Sequence, residues 1–142
     1  MPAIATSDLA LLAGFRHSLR VLDQAIEGGA KEAGLTVQQQ AFLLSLMARG
    51  AREVALADLR ADLTMDQATT SDLLARLIRR RLVTRRSGRD RRALIVSITR
   101  PGRARFQRSV RAIGREIRRA KDRGDLDALQ RNLRAYLAFY TR

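Results

Sequence analysis

Residues 84–99, TRRSGRDRRALIVSIT, hold the densest group of chemically capable side chains in the chain: Arg85, Arg86, Arg89, Arg91 and Arg92 around a Ser87-Gly88 step. A guanidinium stays charged at any physiological pH, so it serves neither as general base nor as nucleophile. Its planar fork of donors matches phosphate oxygens and the guanine edge. The groups that catalysis uses are scarce. There is no cysteine, hence no thiolate nucleophile, disulfide or thiolate metal site, and His17 is the one histidine. We therefore expect binding chemistry, with no cofactor and no metal, and place an enzyme well behind other readings.

The charge is segregated. The net value is +14, yet residues 73–123 contain 19 basic residues against three acids, whereas the rest of the chain has 9 against 11. A solvated surface interleaves the two signs; a focused excess of one sign is the footprint of a polyanion. No apolar run is long enough to span a bilayer, and the start MPAIATSDLALL lacks a basic leader and cleavage pattern. The expectation is a soluble, cytoplasmic protein without a membrane partner.

These arginines need elements to position them. Leu12, Phe15, Leu19, Leu22 and Ile26 recur at helical spacing on a first helix over residues 6–31, with Ser7 as N-cap and Gly28-Gly29 loosening its end. Thr36 and Gln39 form a capping-box pattern that opens a second helix running to Ala48. A short helix over residues 56–63 follows, then a three-residue connector whose Asp66 caps a fourth helix over residues 67–80. The stripe Leu73, Leu74, Leu77 and Ile78 gives that helix its buried face. Two short helices with a tight turn have the layout of a helix-turn-helix.

Residues 82–86 and 93–98 read as the strands of a hairpin turning at Ser87-Gly88, with Leu94, Val96 and Ile98 on one face. Thr99 caps a long helix whose seam is Phe106, Val110, Ile113 and Ile117. Asp125 caps a last helix carrying Leu126, Leu129, Leu133, Tyr136 or Leu137, and Tyr140. The narrow seams of the terminal helices fit either each other or a second copy. The class is mainly α with a small β-hairpin.

The run LTVQQQAFLLSLMARG with residues 56–106 resembles the MarR family of bacterial winged helix-turn-helix regulators. So does the order Asp90-Arg91-Arg92, then the alternating ALIVSI, then Thr99-Arg-Pro-Gly102. The resemblance implies a winged helix-turn-helix lobe over residues 35–99. Residues 1–34 and 100–142 would form a helical dimerisation region joined through Leu12, Phe15, Leu19, Leu22, Leu126, Leu129, Leu133, Tyr136 and Tyr140. It implies a homodimer on double-stranded DNA at a pseudo-palindromic operator, acting as a repressor. The fourth helix would lie in the major groove and the wing tip in the minor groove.

On that reading Gln67, Thr69, Ser71, Asp72 and Arg76 read or flank base edges. Arg89 and Arg91 enter the minor groove, Arg85 and Arg86 lie nearer phosphate, and Asp90 with Arg92 shapes the wing. Arg16, His17 and Arg20 are the candidates for a small anionic or aromatic effector. The chain departs from the family pattern at Asp72, where relatives carry Arg, at Arg81, where they carry Gly, and at Thr70, where they carry an aliphatic residue. The alternative is a basic architectural or RNA-binding protein that does not read sequence; both bind in a salt-dependent way, and only a regulator prefers one site.

Overall fold

The first helix starts at Thr6, as its sequence signal suggests, but its cap is Ala5 and not Ser7. In a computed structural model that describes residues 4–122 and 127–140, α1 (Thr6–Glu32) follows the extended Ala5, whose carbonyl accepts from the Asp8 and Leu9 N–H groups at 3.0 and 3.1 Å. Ser7 lies inside the helix and caps nothing. Nor do Gly28-Gly29 loosen the helix. Gly29 sits where α5 crosses, and a Cβ there would lie 2.3 Å from Ile113 Cγ1 and 2.7 Å from its backbone nitrogen. Glycine is present so that the two helices can approach.

The remaining elements are α2 (Val37–Ala48), β1 (Val54–Ala55), α3 (Leu56–Leu63), α4 (Gln67–Arg79), β2 (Val83–Ser87), β3 (Leu94–Ile98), α5 (Arg100–Asp122) and α6 (Asp127–Tyr140). The capping box of α2 is formed in full: the Gln39 N–H donates to the Thr36 hydroxyl at 3.1 Å, and the Thr36 N–H donates to Gln39 Oε1 at 3.2 Å. The turn into α4 runs through Thr64 at φ 50°, a left-handed conformation unusual for a β-branched residue.

The hairpin belongs to a three-stranded antiparallel sheet of order β1-β3-β2. β1 is a strand the sequence pattern does not announce, since two residues cannot alternate. One apolar core joins α2, α3, α4 and the sheet through Phe42, Leu43, Leu59, Leu74, Leu77 and Val96, and it extends to Ala30 of α1 and Phe106 of α5. The terminal helices pack chiefly as α1 on α5 and α1 on α6. Small buried residues, Ser18 and Ala25 on α1 and Ser109 and Ala112 on α5, let these helices approach closely. Val110, expected in the α5 seam, is exposed, while Ile113 and Ile117 are half-buried.

Two helices end in the same way with different residues. After α1, the Leu35 N–H reaches the Ala30 carbonyl and the Gly34 N–H reaches Lys31, with Gly34 left-handed at φ 68°. After α4, Leu82 N–H reaches Leu77 and Arg81 N–H reaches Ile78, with Arg81 left-handed at φ 58°. Both are Schellman endings, each sealed by a buried apolar pair, Ala30–Leu35 and Leu77–Leu82. Leu82 is thus spent on the turn, and the strand starts at Val83.

Directly beyond, the Leu82 carbonyl accepts from the Thr99 N–H at 3.0 Å and lies 3.0 Å from the Thr99 hydroxyl, which also reaches the Arg81 carbonyl at 2.7 Å. The Gly102 N–H donates back to that hydroxyl at 3.1 Å. A Cβ on Gly102 would lie 2.0 Å from the Leu82 oxygen. Spacing Thr and Gly three residues apart is therefore what lets α5 start against the end of α4.

Urea denaturation should separate these two positions. Arg81→Gly removes left-handed strain and should stabilise the fold by about 1 kcal/mol. Gly102→Ala should destabilise it by ~2 kcal/mol or more, because backbone must shift.

Candidate nucleic-acid interface

The polar face of α4 is set by its first turn. Asp66 Oδ1 accepts from the Thr69 N–H at 2.7 Å and Oδ2 from its hydroxyl at 3.0 Å. The backbone bond and then the hydroxyl bond from Thr69 hold the Asp66 carboxyl below its usual range. Thr70, where an aliphatic residue was expected, is buried, and its hydroxyl donates to the Asp66 carbonyl at 2.8 Å. Its polarity is therefore satisfied locally. Leu73, Leu74 and Leu77 bury the opposite side, leaving Gln67, Ser71, Asp72 and Arg76 open to solvent. Thr69 is exposed too, with its hydroxyl proton committed to the cap.

Asp72 and Arg76 form an ion pair at 2.8 Å, one turn apart, with side chains 59% and 57% exposed. The acid that departs from the family pattern is thereby partnered within the same helix. Gln67 and Ser71 open onto a hollow of about 200 Å³ whose other walls are Arg60, Arg92, Leu94 and residues 55–57. Arg60 has no signal in the sequence; it enters because β1 brings α3 beside the wing.

The wing arginines separate into two kinds. Register puts Ala55, Ile95 and Arg86 on one face of the sheet, and Glu53, two residues before Ala55, shares that face. Arg86 accordingly reaches across β3 to Glu53, with Nε at 2.8 Å and Nη2 at 2.5 Å from its carboxylate. The side-chain bonds from Arg86 hold Glu53 below its ordinary value, and the same pairing raises Arg86. Arg86 thus straps the wing to Glu53 beside β1. Arg85, Arg89 and Arg91 are exposed, with no acidic partner within 4.0 Å among the described residues.

Asp90 shapes the tip through the backbone. Its carboxylate accepts from the Arg92 N–H at 3.2 Å and its carbonyl from the Ala93 N–H at 2.9 Å, while the Gly88 N–H closes the loop on Ala93 at 2.7 Å. The organising bonds of Asp90 run to backbone N–H groups, and Arg92 lines the hollow beside Gln67.

Two further arginines hold the lobe in place. Arg80 donates to Gln39 Oε1 at 2.7 Å and to the Gly34 carbonyl at 2.6 Å, tying the end of α4 to the start of α2. Arg105 of α5 donates to the neighbouring Ala33 carbonyl at 3.1 Å. On the other side of the lobe, Arg49 binds both Asp62 oxygens, at 2.8 and 2.9 Å, and Ser45 adds a third bond, joining α2 to α3. None of these pairings is visible in sequence, because the partners lie between 13 and 72 residues apart.

Of the terminal-helix residues, Phe15 is buried and stacks on Tyr136 with ring centroids 4.4 Å apart. Leu12 and Leu22 are half-buried, and Leu19 and Leu133 are exposed. Leu126 and Asp125 lie outside the described residues, as do the side chains of Leu129 and Tyr140. Arg16 and Arg20 meet at a groove of about 440 Å³ with Leu12, Phe15, Leu19, Asp23 and Tyr136; His17 is exposed and does not line it. No group of acidic, histidine or cysteine side chains among the described residues could hold a metal ion.

Residues 37–102 match a family model described as a winged helix DNA-binding domain. Solved structures similar over nearly the whole chain include AbsC, a MarR family transcriptional regulator from Streptomyces coelicolor (18% identity, 97% of this chain and 99% of that one, TM-score 0.74). A second is the M. tuberculosis transcriptional regulator MOSR in complex with DNA (25%, 89% and 94%, 0.63). A third is Bordetella bronchiseptica BpsR, whose DNA binding is regulated by 6-hydroxynicotinic acid (23%, 91% and 98%, 0.59). A comparison with curated protein sequences gives no match.

The pairings make two outcomes measurable. Glu53 has a depressed folded-state value, so its contribution is complete above its unfolded value near 4.5 and disappears as pH falls through the lower one. Urea midpoints of the wild type should therefore fall below that pH more steeply than those of Glu53→Gln, by a small, salt-screened margin. Asp72→Asn frees Arg76 and removes an anion from the open face. Non-specific duplex affinity should rise, with the log–log salt slope steeper by roughly 1 per subunit, in anisotropy titrations.

Proposed function

We propose that this chain is a winged-helix transcriptional regulator of the MarR family that acts as a homodimeric repressor reading a pseudo-palindromic operator. α4 enters the major groove with Gln67, Ser71 and the Asp72–Arg76 pair toward base edges. The wing enters the adjacent minor groove with Arg89 and Arg91, where a narrow groove concentrates negative potential. Arg85 and Arg60 flank them toward phosphate.

The observation that carries this reading is the division of arginines. Arg49, Arg86, Arg80 and Arg105 are held by acids, an amide or carbonyls inside the lobe, while Arg89 and Arg91 at the wing tip have no acidic partner among the described residues and lie beside an open, capped helix face. Dimerisation is supported by the apolar residues left uncovered on the terminal helices, among them Leu9, Leu19, Leu133 and Leu137. The groove with Arg16 and Arg20 over the Phe15–Tyr136 stack suits a small aromatic anion, which would bear on the same helices and shift the spacing of the two lobes.

Selection of bound genomic fragments, followed by anisotropy titration, tests the proposal. A preferred inverted repeat should emerge. Gln67→Ala should relax preference at one base pair per half-site by about 1–3 kcal/mol. Arg89→Ala with Arg91→Ala should weaken all duplexes and lower the salt slope by roughly 2 per subunit. Enrichment of no site, with equal affinity for unrelated duplexes, would leave a basic protein that does not read sequence.

A further inference from the structure

A second basic surface lies outside the winged lobe's helix-and-wing face. α5 carries nine basic residues and two acids, and its first turn holds no acid. Its buried side presents Gly102, Phe106, Ser109, Ala112 and Ala120 to the helices it packs on. At 100° per residue, Arg100, Arg103, Gln107, Arg111 and Arg118 fall on the opposite side within an arc of about 80°, and Arg108 lies about 60° beyond it. All six are exposed. The stripe runs along ~27 Å of helix.

The arginines of this stripe are not committed elsewhere. Arg115 is paired with Glu32 and Arg119 with Glu116, and Arg105 is held by the Ala33 carbonyl. Arg100, Arg103, Arg108, Arg111 and Arg118 have no acidic partner within 4.0 Å among the described residues. The arrangement disfavours the helix itself. Like charges three and four residues apart repel, and cations in the first turn oppose the helix dipole. An isolated solvated helix is better served by alternating signs, so an anionic partner is what makes the pattern favourable.

We propose that the exposed face of α5 binds the phosphate backbone of a second DNA duplex, apart from the one held by α4 and the wing. Duplex DNA carries roughly one charge per 1.7 Å of axis, a density that a row of arginines can follow without reading sequence. A single-stranded RNA is a poorer match, because such ligands stack on aromatic platforms and the one aromatic side chain of α5, Phe106, is buried on the far side. A second copy of the chain is disfavoured, since a symmetric contact would set guanidinium against guanidinium. A protein already on DNA also has other duplex segments at high local concentration, so modest affinity suffices. The inference does not rest on operator reading; it requires only that α5 remain free in the loaded protein.

The test uses the full chain loaded to saturation on an immobilised duplex, washed, and then offered a second, unrelated fluorescent duplex at low ionic strength. Wild type should capture it, with a steep salt dependence. The variant Arg103→Gln, Arg108→Gln, Arg111→Gln, Arg118→Gln, its helicity checked by circular dichroism, should load on the first duplex as before and capture the second at least ~10-fold less, with the salt slope lower by roughly 3–4. Undiminished capture by that variant, or no capture by wild type, overturns the proposal. So does a parallel loss of first-duplex loading, which would assign the stripe to the first duplex. Displacement by polyglutamate as effective as by duplex at equal charge would replace DNA with an acidic protein. First-duplex loading by wild type reports separately on the winged lobe.

Discussion

The carbonyl of Leu82 is the point on which the lobe turns. It takes the Thr99 N–H, lies beside the Thr99 hydroxyl, and faces a glycine that has no Cβ to block it. Within a few residues of that oxygen, α4 ends, β2 begins, β3 ends and α5 starts. The aim of α4, the root of the wing and the departure of α5 are thus fixed together. Arg80 adds a second tie from the end of α4 to the start of α2, and Arg105 a third from α5 to the turn before α2. A lobe clamped in this way holds its helices and wing in place before a duplex binds, so only the side chains need ordering then, which lowers the entropic cost of a complex.

Charge allocation then decides which arginines are available. In a chain with 28 basic and 14 acidic residues, pairing is a scarce resource. Asp62 holds Arg49 where α2 meets α3, Glu53 holds Arg86 at the wing base, and Asp72 holds Arg76 on the open helix face. These pairs are exposed, and each contributes little to stability in salt. Their effect is positional: they fix guanidinium groups that would otherwise sweep the surface. Among the described residues, Arg85, Arg89 and Arg91 of the wing and Arg100, Arg103, Arg108, Arg111 and Arg118 of α5 have no acid within 4.0 Å. Function follows from what the fold leaves unpaired.

Much of this architecture was legible in sequence, because its signals are local. The capping box at Thr36, the cap at Asp66, the alternation in ALIVSI and the Thr99-to-Gly102 spacing each occupy a few adjacent residues, and each forms as read. The rest failed for identifiable reasons. β1 is too short to alternate, and it exists because β3 offers it an edge. Gly28-Gly29 read as a helix weakness, yet Gly29 is demanded by Ile113, 84 residues away in sequence. Arg85 and Arg86 look alike as sequence neighbours; in a strand they face opposite sides, and the Arg86 pairing with Glu53 is not visible from the sequence. The hub role of Arg80 depends on a carbonyl 46 residues distant, and the apolar periodicity of α1 could not tell the buried Phe15 from the exposed Leu19.

Hydroxyl-radical footprinting of the full-length protein on its selected operator tests the central claim most directly. The account predicts two protected backbone segments related by a dyad, their centres about 34 Å apart along one face of the duplex, each flanked by protection of a minor groove that disappears when Arg89 and Arg91 are both replaced. Uniform protection along the fragment, or a minor-groove footprint that survives that replacement, would contradict it.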